Sequence, residues 1–229
     1  MITLYQFLSS PLCEKARRIL AYKGIEYKIH EVDRTKTEEL KHVSPFGKFP
    51  AMEHDGEAIC DSTDIAYFLE EKYPEKPLIP SDPLMAAQAH IIEDWADESL
   101  YFYEITMRVS WEHNARNNLQ KLMETMPPEV TEEQGLELAL GFSQHVSTTQ
   151  GIGRKTREQV CADVERHLKA LSAILSETDW LVGNNISLAD IAVISQLNCL
   201  IPTVEVTEAI KLYPNIIEWM ERVDAVAPA

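Results

Sequence analysis

Ser10, Cys13, Asp61 and Ser62 are the side chains of this 229-residue chain whose types and spacing invite chemistry. Ser10 stands where a helix N-cap belongs, and Pro11 takes the first helical position, where a missing N–H costs nothing. A helix N-terminus offers unpaired N–H groups and the positive end of the helix dipole, which stabilise a nearby anion such as a thiolate. A serine hydroxyl at the same place can donate to that anion. Cys13 lies one turn further on, giving Ser-x-x-Cys, a Cys-x-x-Cys pair with its first cysteine replaced. The plain alternative is an ordinary capped helix over a buried cysteine.

Asp61-Ser62 precedes a second helical stretch and supplies a carboxylate, a hydroxyl and helix amides together. That set suits both ends of an amino-acid head group: its carboxylate meets the amides and its ammonium meets Asp61. Phe49-Pro50 opens a strand, where proline is tolerated only at an edge or a first position. A cis bond there would turn the Phe49 amide and carbonyl outward, ready to pair with an extended peptide as an added strand. Taken singly, these features also read as a plain cap and an edge proline.

The elements that must hold these groups follow from periodicity. Ile2 to Phe7 alternates as a half-buried strand, and Leu12, Ala16, Ile19 and Leu20 form the apolar stripe of a helix closed by Gly24. Residues 25–33 return to alternation, making a βαβ unit with a right-handed crossover. Residues 34–43 predict a short, irregular helix. Phe49–Glu53 and Glu57–Cys60 flank His54-Asp55-Gly56, a hairpin signal, and a helix over residues 63–70 ends at Tyr73-Pro74. The order βαβ, connecting helix, ββα is a thioredoxin-like layout.

Composition excludes several classes of function. A net charge of −16 repels nucleic-acid backbones and anionic membranes alike. No apolar run reaches the roughly 20 residues of a membrane helix, and the N-terminus lacks a signal-peptide pattern. The expectation is a soluble, cytoplasmic protein with neither nucleic-acid nor membrane partners. Cys13, Cys60, Cys161 and Cys199 are scattered, without the spacing of a disulfide framework or a zinc site, and the seven histidines form no ligand motif. No metal is expected.

Residues 1–75 strongly resemble the N-terminal domain of glutathione S-transferases. The likeness rests on Ser10-Pro11-Leu12, the Arg17–Gly24 helix end, Gly47-Lys48-Phe49-Pro50-Ala51-Met52, and Asp61-Ser62 with Asp64-Ile65-Ala66-Tyr67-Phe68-Leu69. The resemblance implies that Ser10 contacts the glutathione sulfur and that Phe49, before a cis Pro50, pairs with the cysteinyl backbone. Asp61 and Ser62 would hold the γ-glutamyl end, and Lys48 would face the glycyl carboxylate or simply remain solvated. Asp61 replaces the family's more frequent Glu or Gln, which leaves the charge logic intact. Homodimerisation is expected from the resemblance alone.

Residues 76–83 carry three prolines and read as a stiff linker, after which residues 84–229 read as an all-helical domain. One long helix is expected from Leu84 to about Asn118, and an amphipathic one from Val160 to Leu175. Ser187 and Asp190 stand at capping-box spacing before an apolar run ending near Ile201, which looks like the family's folding motif in the second domain. Tyr101, Tyr103, Met107 and Trp111 could line a pocket for an apolar substrate, although aromatics at helical spacing equally belong to a core. Gly151-Ile152-Gly153-Arg154 is similar to stretches in metaxin-like and Fax-like proteins of the same fold.

Three functions remain open on this basis. The leading one is glutathione transfer to a small electrophile, with glutathione as co-substrate and its thiolate favoured by Ser10. Free thiols ionise near about pH 8.5, so such help matters at neutral pH. The second places Cys13 at the centre of thiol-disulfide exchange or peroxide reduction. The third is a non-catalytic glutathione-sensing or interaction module.

Overall fold

The computed structural model describes residues 1–124 and 126–229. Its only strands among the described residues fall in the first 60 positions: β1 (Ile2–Gln6), β2 (Tyr27–Glu31), β3 (Ala51–His54) and β4 (Glu57–Cys60). They form one sheet in the order β2-β1-β3-β4, with β1 parallel to β2 and antiparallel to β3. The helix α1 (Pro11–Lys23) is the crossover between the parallel pair, and α2 (Ser62–Lys72) follows β4. The expected irregular helix is a single 3₁₀ turn over Thr37–Leu40. The hairpin tip places Asp55 at φ 51° and Gly56 at φ 87°, two consecutive left-handed residues that match the twist of paired strands.

Helices alone follow: α3 (Pro83–Trp95), α4 (Tyr101–Ile105), α5 (Glu112–Asn117), α6 (Leu119–Met123), α7 (Glu132–Gln150), α8 (Arg157–Leu175), α9 (Leu188–Leu200), α10 (Val204–Ala209) and α11 (Pro214–Val226). The single helix expected over residues 84–118 is not continuous. Two π turns, Ala96–Leu100 and Thr106–Ser110, interrupt it, and at Trp111 the backbone is extended (φ −94°, ψ 111°) before α5 begins. Each π turn admits an extra residue and rotates the faces that follow, an effect invisible to a 3.6-residue count.

The core helix is α9, buried from Leu188 through Leu197. Its N-terminus is fixed by Asp190, which accepts from the backbone N–H of Leu181 and of Ser187 (each 2.8 Å), the Ser187 hydroxyl (2.9 Å) and Trp219 Nε1 (2.9 Å). No single helix among the described residues is long and apolar enough to cross a membrane.

The sheet half and the helical half are locked around α1. Arg18, almost wholly buried, donates to Glu14 (2.8 Å) on its own helix and to the Ala227 carbonyl (2.7 Å), and pairs with Asp224 (2.8 Å). Asn198 on α9 donates to the same Glu14 at 2.6 Å. In the proline-rich connector, Leu78 is buried and its carbonyl accepts from Leu188 N at 2.8 Å, so the segment is anchored at the start of α9.

Candidate active site

The carboxyl end of β1 delivers the chain into the start of α1. Ser10 caps that helix: its Oγ accepts from Cys13 N at 3.4 Å, and Gly24 closes the far end at φ 70°. The Ser10 oxygen is the acceptor in this bond, and its rotatable hydroxyl also hydrogen-bonds toward the Cys13 thiol. Cys13 points the other way. Its side chain is fully buried with Phe49, Ala51 and Val32, and the Phe7 N–H donates to its Sγ at 3.4 Å. Burial pushes the thiol up to about 11 against the opposing pull of the Phe7 and Ser10 hydrogen bonds and the Arg17 charge.

The Phe49-Pro50 peptide is cis. It sits one residue before β3, so the Phe49 backbone lies just outside the ladder. The Phe49 ring meets Phe7 edge-on at 5.3 Å, while Lys48 is exposed. The pairing of Ala51 with Cys60 and a bond from Asp61 N to the Pro50 carbonyl (3.3 Å) bring Asp61 and Ser62 alongside the cis peptide. Asp61 is the N-cap of α2: its Oδ1 accepts from Thr63 N at 2.8 Å, and its backbone stands at φ 81°. That conformation is strained for a residue with a Cβ. Ser62 is buried, and its hydroxyl lies 3.3 Å from Asp97 Oδ2. Ser10, the Phe49-Pro50 peptide and Asp61-Ser62 thus gather at one end of the sheet, where two helix N-termini converge.

Of the residues read as a substrate pocket, Tyr103, Met107 and Trp111 do not join them. Tyr103 turns toward α8, donating to Asp163 at 2.9 Å and packing on His167 with ring centres 5.2 Å apart. Met107 is fully buried and Trp111 nearly so, which makes them core. The face of this helical stretch that looks at the sheet half instead carries Tyr101, Glu104 and Arg108. Glu104 and Arg108 form a buried ion pair, and burial foremost raises the Tyr101 phenol to about 12, with Cys13, Arg34 and Arg108 acting on it through space. From the sheet half, Arg34 stacks over Phe7 at 4.0 Å and approaches Ser9 Oγ at 3.4 Å, while Cys199 Sγ lies 4.0 Å from the Ser9 carbonyl. Tyr101 belongs to the group read from sequence as a candidate pocket, whereas Arg34, Arg108 and Cys199 do not stand out from sequence as site residues. Arg108 carries only the signal of a polar residue in an otherwise apolar helical stretch, and Arg34, in the turn after β2, carries none.

This architecture matches two family models: the N-terminal domain of glutathione S-transferase over residues 4–77 and its C-terminal domain over residues 138–225. The chain belongs to the glutathione S-transferase family. Among curated relatives, it is 28% identical over 198 residues to the protein LigF of a Sphingobium strain, covering 83% of this chain and 75% of that one. It is 25% identical to an isoprene-epoxide glutathione S-transferase of a Rhodococcus strain, covering 97% and 98% of the two chains. The crystal structure of the β-etherase LigF from Sphingobium superposes with a TM-score of 0.69 at 25% identity, over 98% of this chain and 95% of that one.

Proposed function

We propose that this protein is a glutathione transferase that holds glutathione across the sheet end and passes its thiolate to a small electrophile. The observation that carries the reading is the Ser10 cap: a half-buried hydroxyl at the positive end of α1, its oxygen engaged by Cys13 N. In this reading the hydroxyl and the helix end favour ionisation of the bound thiol. The backbone at Phe49 pairs with the cysteinyl unit, Asp61 and Ser62 receive the γ-glutamyl end, and exposed Lys48 meets the glycyl carboxylate. The thiol proton passes to solvent, and the sulfur attacks an electrophilic carbon. The C–S bond of a thioether forms as that carbon's bond to an epoxide oxygen or other leaving group breaks and its electron pair departs on that atom, with no covalent intermediate on the enzyme. The epoxide-directed activity in the name of the Rhodococcus relative supports a carbon electrophile. Arg34 and Arg108 beside Tyr101 give the acceptor side a polar character, in place of the pocket for an apolar substrate read from Tyr101, Tyr103, Met107 and Trp111.

Thiol-disulfide chemistry at Cys13 is the weaker reading, because a fully buried thiol raised to about 11 is a poor nucleophile. Homodimerisation belongs to the leading proposal. Phe46, 88% exposed, and Ile91, 66% exposed, are large apolar side chains that a second copy would cover. A thermal-shift titration with glutathione, beside the same peptide lacking its γ-glutamyl residue, tests the site. Saturation at about 100 times the dissociation constant stabilises by roughly 2.7 kcal/mol, a rise of about 5–10 °C for a chain of this size. No shift at about 10 mM ligand, a concentration that would fill even a millimolar site, sinks the reading.

A further inference from the structure

Lys15 is wholly buried on α1, one turn beyond the Ser10 cap and facing away from the thiol Cys13. Its ammonium pairs with Glu93 on α3 and with Asp97 (2.6 Å) in the following π turn. It also donates to Thr63 Oγ1 at 3.1 Å and approaches Ser62 Oγ at 3.4 Å, both in the first turn of α2. Ser62 in turn donates to Asp97 Oδ2 at 3.3 Å, and Thr63 to Glu93. One buried ammonium therefore ties three helices together, two in the sheet half and one in the helical half.

The cluster is not a balanced structural pair. Two carboxylates face one ammonium, and the second oxygen of Asp97 is buried with no hydrogen-bond partner. A buried charge with an orphan oxygen costs stability, so a cluster serving stability alone gains nothing by retaining it. What the arrangement does accomplish is to commit the Ser62 proton inward to Asp97. The serine then presents only a lone pair to a ligand, and the hydroxyl has one orientation.

We propose that Lys15 is a positioning residue for glutathione: through Asp97 and Glu93 it fixes Ser62 and Thr63, so that the γ-glutamyl end meets a pre-oriented site. The proposal rests on the glutathione reading above. It makes ligand binding depend on α3, although neither Glu93 nor Asp97 is called on to touch the ligand.

The test compares the parent with Lys15→Met/Glu93→Gln/Asp97→Asn, which removes all three charges together. Replacing a whole buried ionic group is often tolerated, whereas removing one partner is not. Asp97→Asn alone, which leaves Lys15 and Glu93 matched one to one, is the second variant should the triple fail to fold. The expected result is a folded variant whose KM and Kd for glutathione rise about tenfold, the order expected for a lost charge-assisted hydrogen bond. Its kcat at saturating glutathione changes less than about twofold, within the scatter of a neutral change. A folded variant that binds glutathione as the parent does overturns the proposal. Should the parent itself fail to bind glutathione, the functional reading falls, and hydrogen exchange on the same proteins decides the role of Lys15. Loss of amide protection confined to residues 62–66 supports positioning, and unchanged protection there overturns it.

Discussion

Two serine-capped helices in this protein, α1 and α9, begin with similar sequence grammar and serve opposite ends. At α9 every acceptor position on Asp190 that geometry offers is used: two backbone N–H groups, a hydroxyl and an indole. The site is sealed, with Ser187 and Asp190 both at 0% exposure. At α1 the Ser10 cap accepts one long 3.4 Å bond from Cys13 N and is only half-buried. The difference teaches how to tell a cap built for folding from one available for chemistry. Both stabilise a helix end, but only the second leaves its hydroxyl where a ligand can reach it.

The contrast makes its largest claim at Asp190. Asp190→Ala leaves four buried donors without an acceptor and should cost about 3–5 kcal/mol, as breaking a buried charged network does. Urea unfolding would show the midpoint falling steeply. A loss under about 1 kcal/mol, the range of an ordinary exposed cap, would erase the distinction between the two helix ends. Ser10→Ala should behave inversely. Stability should drop by no more than about 1 kcal/mol, while kcat for conjugation falls about 10²–10³-fold, the usual effect of losing a donor to a developing anion. Equal kcat in parent and variant would leave the α1 cap as structural as that of α9.

Much of this was legible in the chain because the governing interactions are local. The Ser10-Pro11 cap, the Asp55-Gly56 turn, the cis Phe49-Pro50 peptide and the Ser187/Asp190 spacing each depend on neighbours within a few residues. What stayed hidden depends on distant partners or on helical phase. Lys15 reads as a surface residue until Glu93 and Asp97, about eighty positions away, close over it. Tyr103, Met107 and Trp111 had a plausible spacing, but the two π turns rotate Tyr101 and Arg108, not them, toward the thiol site.

Cys13 sharpens the comparison from inside α1. Its thiol is raised from an ordinary 9.0 to about 11, chiefly by burial. The neutral form is therefore favoured in the folded state, and its contribution is fully present below the unfolded value and lost as pH rises through the folded one. Between pH 9 and about 11 the parent should lose roughly 2–3 kcal/mol more than Cys13→Ala, the size that a rise of this order implies. Paired denaturation curves at each pH measure the difference. At pH 8 Cys13 should resist alkylation in the folded protein. Rapid alkylation accompanied by loss of activity would instead return Cys13 to the centre of the chemistry.

The smallest expected effect, and the finest test of the contrast, lies at α2. Asp61 caps that helix as Ser187 and Asp190 cap α9, yet it is exposed and held at φ 81°. A cap retained for stability has no reason to accept such a backbone. Asp61→Gly relieves the strain and gives up the side-chain cap, terms of opposite sign and each about 1 kcal/mol or less. The melting temperature should thus move by less than about 4 °C. Glutathione affinity should nonetheless fall several-fold, because the carboxylate proposed to receive the γ-glutamyl ammonium is gone. Asp61→Asn separates the two contributions, since it keeps a capping oxygen and tolerates positive φ while removing the charge. If Asn binds glutathione as poorly as Gly does, the charge is what α2 keeps for its ligand. If Asp61→Gly instead melts far below the parent while binding normally, Asp61 belongs with Asp190 among the folding caps, and strain ceases to mark function at this helix end.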